Sequence, residues 1–87
     1  MENYSYFHGA SAQTRVIKNG PGYLHTLTIN TLAASTITLY DNTAASGTII
    51  AVIKASALEQ TFIYDCQFAV GLTIITAGAP DITVSYT

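Results

Sequence analysis

Apolar and polar residues alternate with a period of two along most of this chain, the mark of strands that bury one face. The clearest case is 23–30, where Leu27 and Ile29 share one face and Thr26, Thr28 and Asn30 the other. The pattern recurs at 35–40, with Ile37 and Leu39 opposite Thr36, Thr38 and Tyr40. It recurs again at 81–87, with Ile82, Val84 and Tyr86 opposite Thr83, Ser85 and Thr87. Segment 61–70 groups Phe62, Tyr64, Cys66 and Phe68, and segments 14–19 and 72–76 read as two further strands. Segment 48–54 differs. Its run Ile49-Ile50-Ala51-Val52-Ile53 is apolar on both faces, which predicts cover on both sides.

Turn chemistry separates these runs. Gly20-Pro21-Gly22 and Ala77-Gly78-Ala79-Pro80 force reversals, and Asp41-Asn42-Thr43-Ala44-Ala45-Ser46-Gly47 reads as a loop. Residues 55–60 form a connection with room for one helical turn. No segment shows a 3.6-residue apolar stripe. About seven short strands at even spacing predict an all-β fold, a single small β-sandwich of jelly-roll-like type. The predicted core is Val16, Leu27, Ile29, Ile37, Leu39, Ile49, Ala51, Ile53, Phe62, Tyr64, Phe68, Leu72, Ile74, Ile82 and Val84.

This domain spans 14–87, and residues 1–13 read as an extended N-terminal arm without sustained alternation. Tyr4, Tyr6 and Phe7 put three aromatics into four positions there. Two expectations stay open. The rings fold back on their own domain, or Tyr4, Tyr6, Phe7 and His8 form an interface with a partner, since a terminal segment is loose unless tied down.

Composition narrows the function classes. Threonine occurs thirteen times, and only eight of 87 residues are charged. A domain of this size buries only about 60–65% of the surface its unfolded chain exposes, so an internal or external stabiliser is expected. Cys66 is the single cysteine, which excludes a disulfide within the chain. His8 and His25 have no second ligand at metal spacing, so no metal or cofactor is expected, and oligomerisation remains. A net charge of −2, with three scattered cations, argues against nucleic acid. No apolar run of roughly 18 residues predicts a membrane helix. The start Met1-Glu2-Asn3-Tyr4 has no basic or apolar signal region, and a free cysteine fits synthesis in a reducing cytoplasm.

Candidate chemistry is sparse. A nucleophile needs an adjacent base and an orienting acid, and Cys66 sits mid-strand among aromatics as a small buried hydrophobe. By parity His25 shares a face with Leu27 and Ile29 at the edge of the core. Asp41 and Asp81 have turn-forming roles, and Asp65 alternates out of the aromatic face, so no carboxylate pair for glycoside hydrolysis is expected. No catalytic residue is predicted. Tyr23, Tyr40 and Tyr86 lie near strand ends, where exposed rings stack on sugars, although the chain has no tryptophan.

The stretch Leu39-Tyr40-Asp41-Asn42-Thr43-Ala44-Ala45-Ser46-Gly47-Thr48-Ile49-Ile50 resembles a strand–loop–strand pattern of small tailed-bacteriophage virion proteins. Thr14-Arg15-Val16-Ile17-Lys18, Tyr64-Asp65-Cys66-Gln67-Phe68, Gly71-Leu72-Thr73-Ile74 and Asp81-Ile82-Thr83-Val84-Ser85-Tyr86 agree in order. The resemblance covers about 14–87 and excludes the arm. It departs from the pattern at Thr87, where a basic residue is usual. It implies a capsid decoration, or cement, protein without catalytic residues or cofactors. Such a protein binds the major capsid protein on the outer surface of a phage head as a homotrimer and stiffens the shell. The alternative expectation is a carbohydrate- or receptor-binding module of a head or tail fibre.

Overall fold

The computed structural model describes residues 4–31, 35–54 and 59–87. The links at 32–34 and most of the connection at 55–60 lie outside the described residues. Among the described residues eight strands form: β1 (Ser5–Gly9), β2 (Gln13–Asn19), β3 (Gly22–Thr31), β4 (Ile37–Asp41), β5 (Thr48–Ile53), β6 (Thr61–Phe68), β7 (Gly71–Thr76) and β8 (Asp81–Tyr86). They make two four-stranded sheets, ordered β1-β8-β3-β6 and β2-β7-β4-β5. Every ladder is antiparallel. Only the β4–β5 hairpin keeps consecutive strands in one sheet, so each other step crosses the sandwich. Eight antiparallel strands in that order make a jelly roll, as the alternation predicts.

The alternation explains the core. Each inner face contributes every second residue, and the two faces interdigitate. From the first sheet come Leu24, Leu27, Ile29, Phe68, Ile82 and Val84, and from the second Ile37, Leu39, Ile53, Leu72 and Ile74. Ala51, Phe62 and Tyr64 pack against this cluster from its margin.

Three β-bulges change what alternation predicts. A register shift at Ile17 turns Val16 outward, 43% exposed, and brings Ile17 against the core. A second shift, between Leu39 and Tyr40 on β4, leaves Ile50 unpaired and puts Ile49 outside at 51% exposure. Val16 and Ile49 are therefore not core residues. A third shift, between Leu24 and Thr26, leaves Leu24 and Leu27 both buried, with His25 and Thr26 between them on the outer face. His25 thus lies on the face opposite Leu27, and Leu24 joins the core. The cause is common to all three: one extra residue inverts the facing of everything beyond it.

The N-terminal segment also differs from the expected arm. Ser5–Gly9 pairs along its whole length with β8, from Ser5 opposite Tyr86 to Gly9 opposite Ile82. It makes an eighth strand where seven were expected. Its single inward apolar residue, Phe7, is too short a run to read as alternation, and backbone pairing places it instead. The turn that follows is tied down as well. The Thr76 hydroxyl donates to the Ser11 carbonyl (3.0 Å) and accepts from the Gln13 N–H (3.1 Å).

Candidate functional site: two outer sheet faces

Strand pairing sets what each outer face displays. On the first sheet, one row runs Tyr6, Ser85, Thr26, Ile63 across β1, β8, β3 and β6. The next runs His8, Thr83, Thr28, Thr61. Polar groups knit this face together. His8 Nε2 lies 2.6 Å from Asp81 Oδ1, and Asn30 Nδ2 donates to Asp81 Oδ1 and Thr83 Oγ1, each at 3.1 Å. Asn30 first and His8 second hold the Asp81 carboxyl below the usual carboxylate range. Thr28 and Thr61 share a hydroxyl hydrogen bond of 3.0 Å.

A second imidazole–carboxylate pair lies at the bulge. Asp65 adopts a left-handed conformation, φ 46°, which short polar side chains tolerate better than most. Its carboxylate reaches His25 Nδ1 at 2.5 Å. The Tyr4 ring stacks on His25, centroids 4.3 Å apart and planes 11° from parallel. This face therefore carries both histidines, each oriented by an aspartate.

The second sheet presents different chemistry. Its rows run Val16, Thr73, Tyr40, Ile49 and Thr14, Ile75, Thr38, Val52 across β2, β7, β4 and β5. None of these eight side chains is charged. Arg15 and Lys18 point to the flank instead, opposite inward-facing Ile74 and Leu72, and the Arg15 guanidinium lies 5.2 Å over the Phe7 ring. Thr73 is fully buried although it faces outward, because its hydroxyl donates to the Asn42 carbonyl (2.7 Å) of the overlying β4–β5 loop. Val16, Ile49 and Val52 stand out of this face as large exposed apolar groups.

Between the sheets, at one end, an open cleft is lined by Pro21, Gly22, Tyr23, Asp41, Gln67, Phe68 and Ala69. Its one carboxylate is engaged structurally. Asp41 Oδ1 accepts from the N–H groups of Ala69 (3.1 Å), Val70 (2.9 Å) and Gly71 (3.4 Å), and Oδ2 from Ala69 (3.0 Å). The Ala69 bond, then that of Val70, hold its carboxyl below the usual range. Gly22 at the cleft floor has no room for a side chain: a Cβ there would collide with the Thr87 carbonyl and the Phe68 ring.

Of the four candidate interface residues, Tyr4, Tyr6 and His8 lie on the polar face, and Phe7 packs against the core of its own domain. Tyr23, Tyr40 and Tyr86 do not converge: Tyr23 lines the cleft, Tyr40 lies on the charge-free face and Tyr86 packs inward. Cys66 faces the core margin opposite Leu24 as a free thiol, and burial raises its pKa. Among the described residues no cluster of three or more His, Cys, Asp or Glu is placed to hold a metal ion. The charge-free face had no single sequence signal, since its eight residues come from four strands spread over residues 14–75.

These features define a small jelly-roll domain with two chemically distinct sheet faces. Comparison with family models, with curated proteins and with solved structures gives no match.

Proposed function

We propose that this chain is a non-enzymatic structural protein of a virus particle, a decoration protein that binds the outer surface of a phage head as a homo-oligomer. The observation that carries this reading is the charge-free face of the β2-β7-β4-β5 sheet. Apolar side chains and threonine hydroxyls offer contact area and short-range hydrogen bonds, with little long-range charge. That suits binding to many copies of one lattice, where multivalency turns weak contacts into strong retention. The resemblance to cement proteins supports the same reading, with the major capsid protein as partner.

The test is binding to phage heads assembled without this chain, followed by a count of copies on each particle. Hundreds of copies, reduced when Ile75→Lys puts a charge into the face, support the proposal. Retention on heads unaffected by Ile75→Lys would overturn the role of the face, and failure to bind any head would overturn the decoration reading.

The polar face favours a second reading, a carbohydrate- or receptor-binding module. Tyr6 is 73% exposed on the same face as the hydrogen-bonded groups of Asp81, Asn30 and His8, so this face carries both an open ring and groups that bond hydroxyls. A handful of copies at a vertex or tail, with glycan binding lost in Tyr6→Ala, would select it.

A further inference from the structure

A sheet edge exposes unpaired N–H and C=O groups, and proteins guard such edges with charge, shortness or irregularity. The four edges here are β1 and β6 in one sheet and β2 and β5 in the other. β2 carries Arg15, Lys18 and a bulge, and β6 carries Asp65 in its left-handed bulge. β1 has five residues, with His8 bonded to Asp81. β5 reads Thr-Ile-Ile-Ala-Val-Ile, without charge, proline or glycine, and among the described residues it pairs only with β4.

The bulge at Ile50 gives β5 an unusual facing order. Thr48 lies opposite Asp41 on the inward side, beyond the end of the core. Ile49 faces out opposite Tyr40, and Ile50 and Ala51 both pack on the core. Val52 faces out opposite Thr38, and Ile53 is buried opposite Ile37. The order in, out, in, in, out, in reads the same from either end. A strand of six regularly alternating residues lacks this symmetry, because its two ends face opposite ways.

We propose that β5 pairs antiparallel with β5 of a second copy, about a two-fold axis between Ile50 and Ala51. Residues opposite one another on antiparallel strands share a face. This register satisfies that rule at every position: Thr48 meets Ile53, Ile49 meets Val52, and Ile50 meets Ala51 of the second copy. Ile49 and Val52, 51% and 44% exposed, cover one another. No like charges meet across the axis, and the contact is isologous, so it closes at two copies. The edges left free on the joined sheet are both β2, guarded by Arg15 and Lys18. The row ending in Ile49 then continues into the row beginning at Val52 of the second copy, which doubles the charge-free face. This inference goes beyond the capsid reading and departs from the homotrimer that the resemblance implies; it stands on the strand edge alone and its test contains no virus particle.

Sedimentation velocity of the full chain at about 100 µM, well above a micromolar Kd, should show a dimer. Val52→Lys puts a cation against Ile49 of the second copy and should raise the dimer Kd at least about tenfold, or about 1.4 kcal/mol, with an unchanged circular dichroism spectrum. Ile63→Lys, at a more exposed position on the other sheet, should leave the dimer intact. A cross-link fixes the register. In a Cys66→Ser background, Ile49→Cys with Val52→Cys should oxidise to a covalent dimer, and neither single cysteine should. Equivalent residues of the two copies lie about three residues apart along the strands, roughly 10 Å, too far for a disulfide. A monomer at the highest concentration, a trimer, a dimer indifferent to Val52→Lys, or single variants that cross-link as readily as the double would each overturn the proposal.

Discussion

Asp41 joins two loops that are about thirty residues apart in sequence. Its carboxylate ends β4 and accepts the N–H groups of Ala69, Val70 and Gly71, which form the tight turn between β6 and β7. That turn crosses from one sheet to the other, so the carboxylate fastens the two layers at one end. Asp41→Ala removes the acceptor from three donors. A hydrogen bond to a charged group contributes about 1.5–3 kcal/mol when shielded, and water competes for donors at this partly exposed site, so the expected loss is about 1–2 kcal/mol. For a domain of this size that lowers Tm by roughly 4–16 °C. Asp41→Asn keeps one oxygen and should cost less.

The pH dependence has a definite sign. The carboxyl is depressed in the folded state, first by the Ala69 N–H and then by that of Val70. Its contribution is therefore fully present above the unfolded pKa of about 3.9 and is lost as pH falls through the lower folded value. Urea melts of wild type and Asp41→Asn should differ at pH 7, and the difference should shrink as pH falls below about 3.9. An Asp41→Ala protein that melts like wild type at pH 7 would refute the fastening role. A wild-type advantage over Asp41→Asn that persists undiminished at pH 2 would refute its electrostatic origin.

Phe68→Ala should cost about 3–5 kcal/mol and Leu24→Ala about 2–5, while Val16→Ala should stay within about 1 kcal/mol; chemical denaturation that ranks Val16 with the other two would contradict the bulge in β2. Deleting residues 2–12 removes β1 and uncovers the β8 edge, so the product should lose its cooperative thermal transition; a sharp melt at the wild-type temperature would show that β1 is dispensable. Cys66→Ser should lower stability by about 1 kcal/mol, and the native thiol should react with a disulfide reagent more slowly than in urea, because burial raises its pKa and hinders access; equal rates in both states would place the thiol on the surface.

Period-two alternation is a local property, and it was sufficient wherever a strand ran straight between two sheets. Ile37 and Leu39, Ile82 and Val84, and Leu27 and Ile29 face the core as their spacing predicts, because each pair has polar neighbours that only the outer face can accept. The all-β class of the described residues followed from the same signal. Bulges have no comparable local mark. The facings of Val16, Ile17, Leu24, His25 and Ile49 were set by register with partner strands distant in sequence, which only the assembled sheets specify. Phe7 shows the same limit: a five-residue strand with one inward apolar residue takes its place from the backbone of β8, more than seventy residues away. The two outer faces are tertiary in the fullest sense. The alternation told which residues leave the core, but the order β2-β7-β4-β5 gathered the uncharged ones into one surface, and β1-β8-β3-β6 brought each histidine to its aspartate.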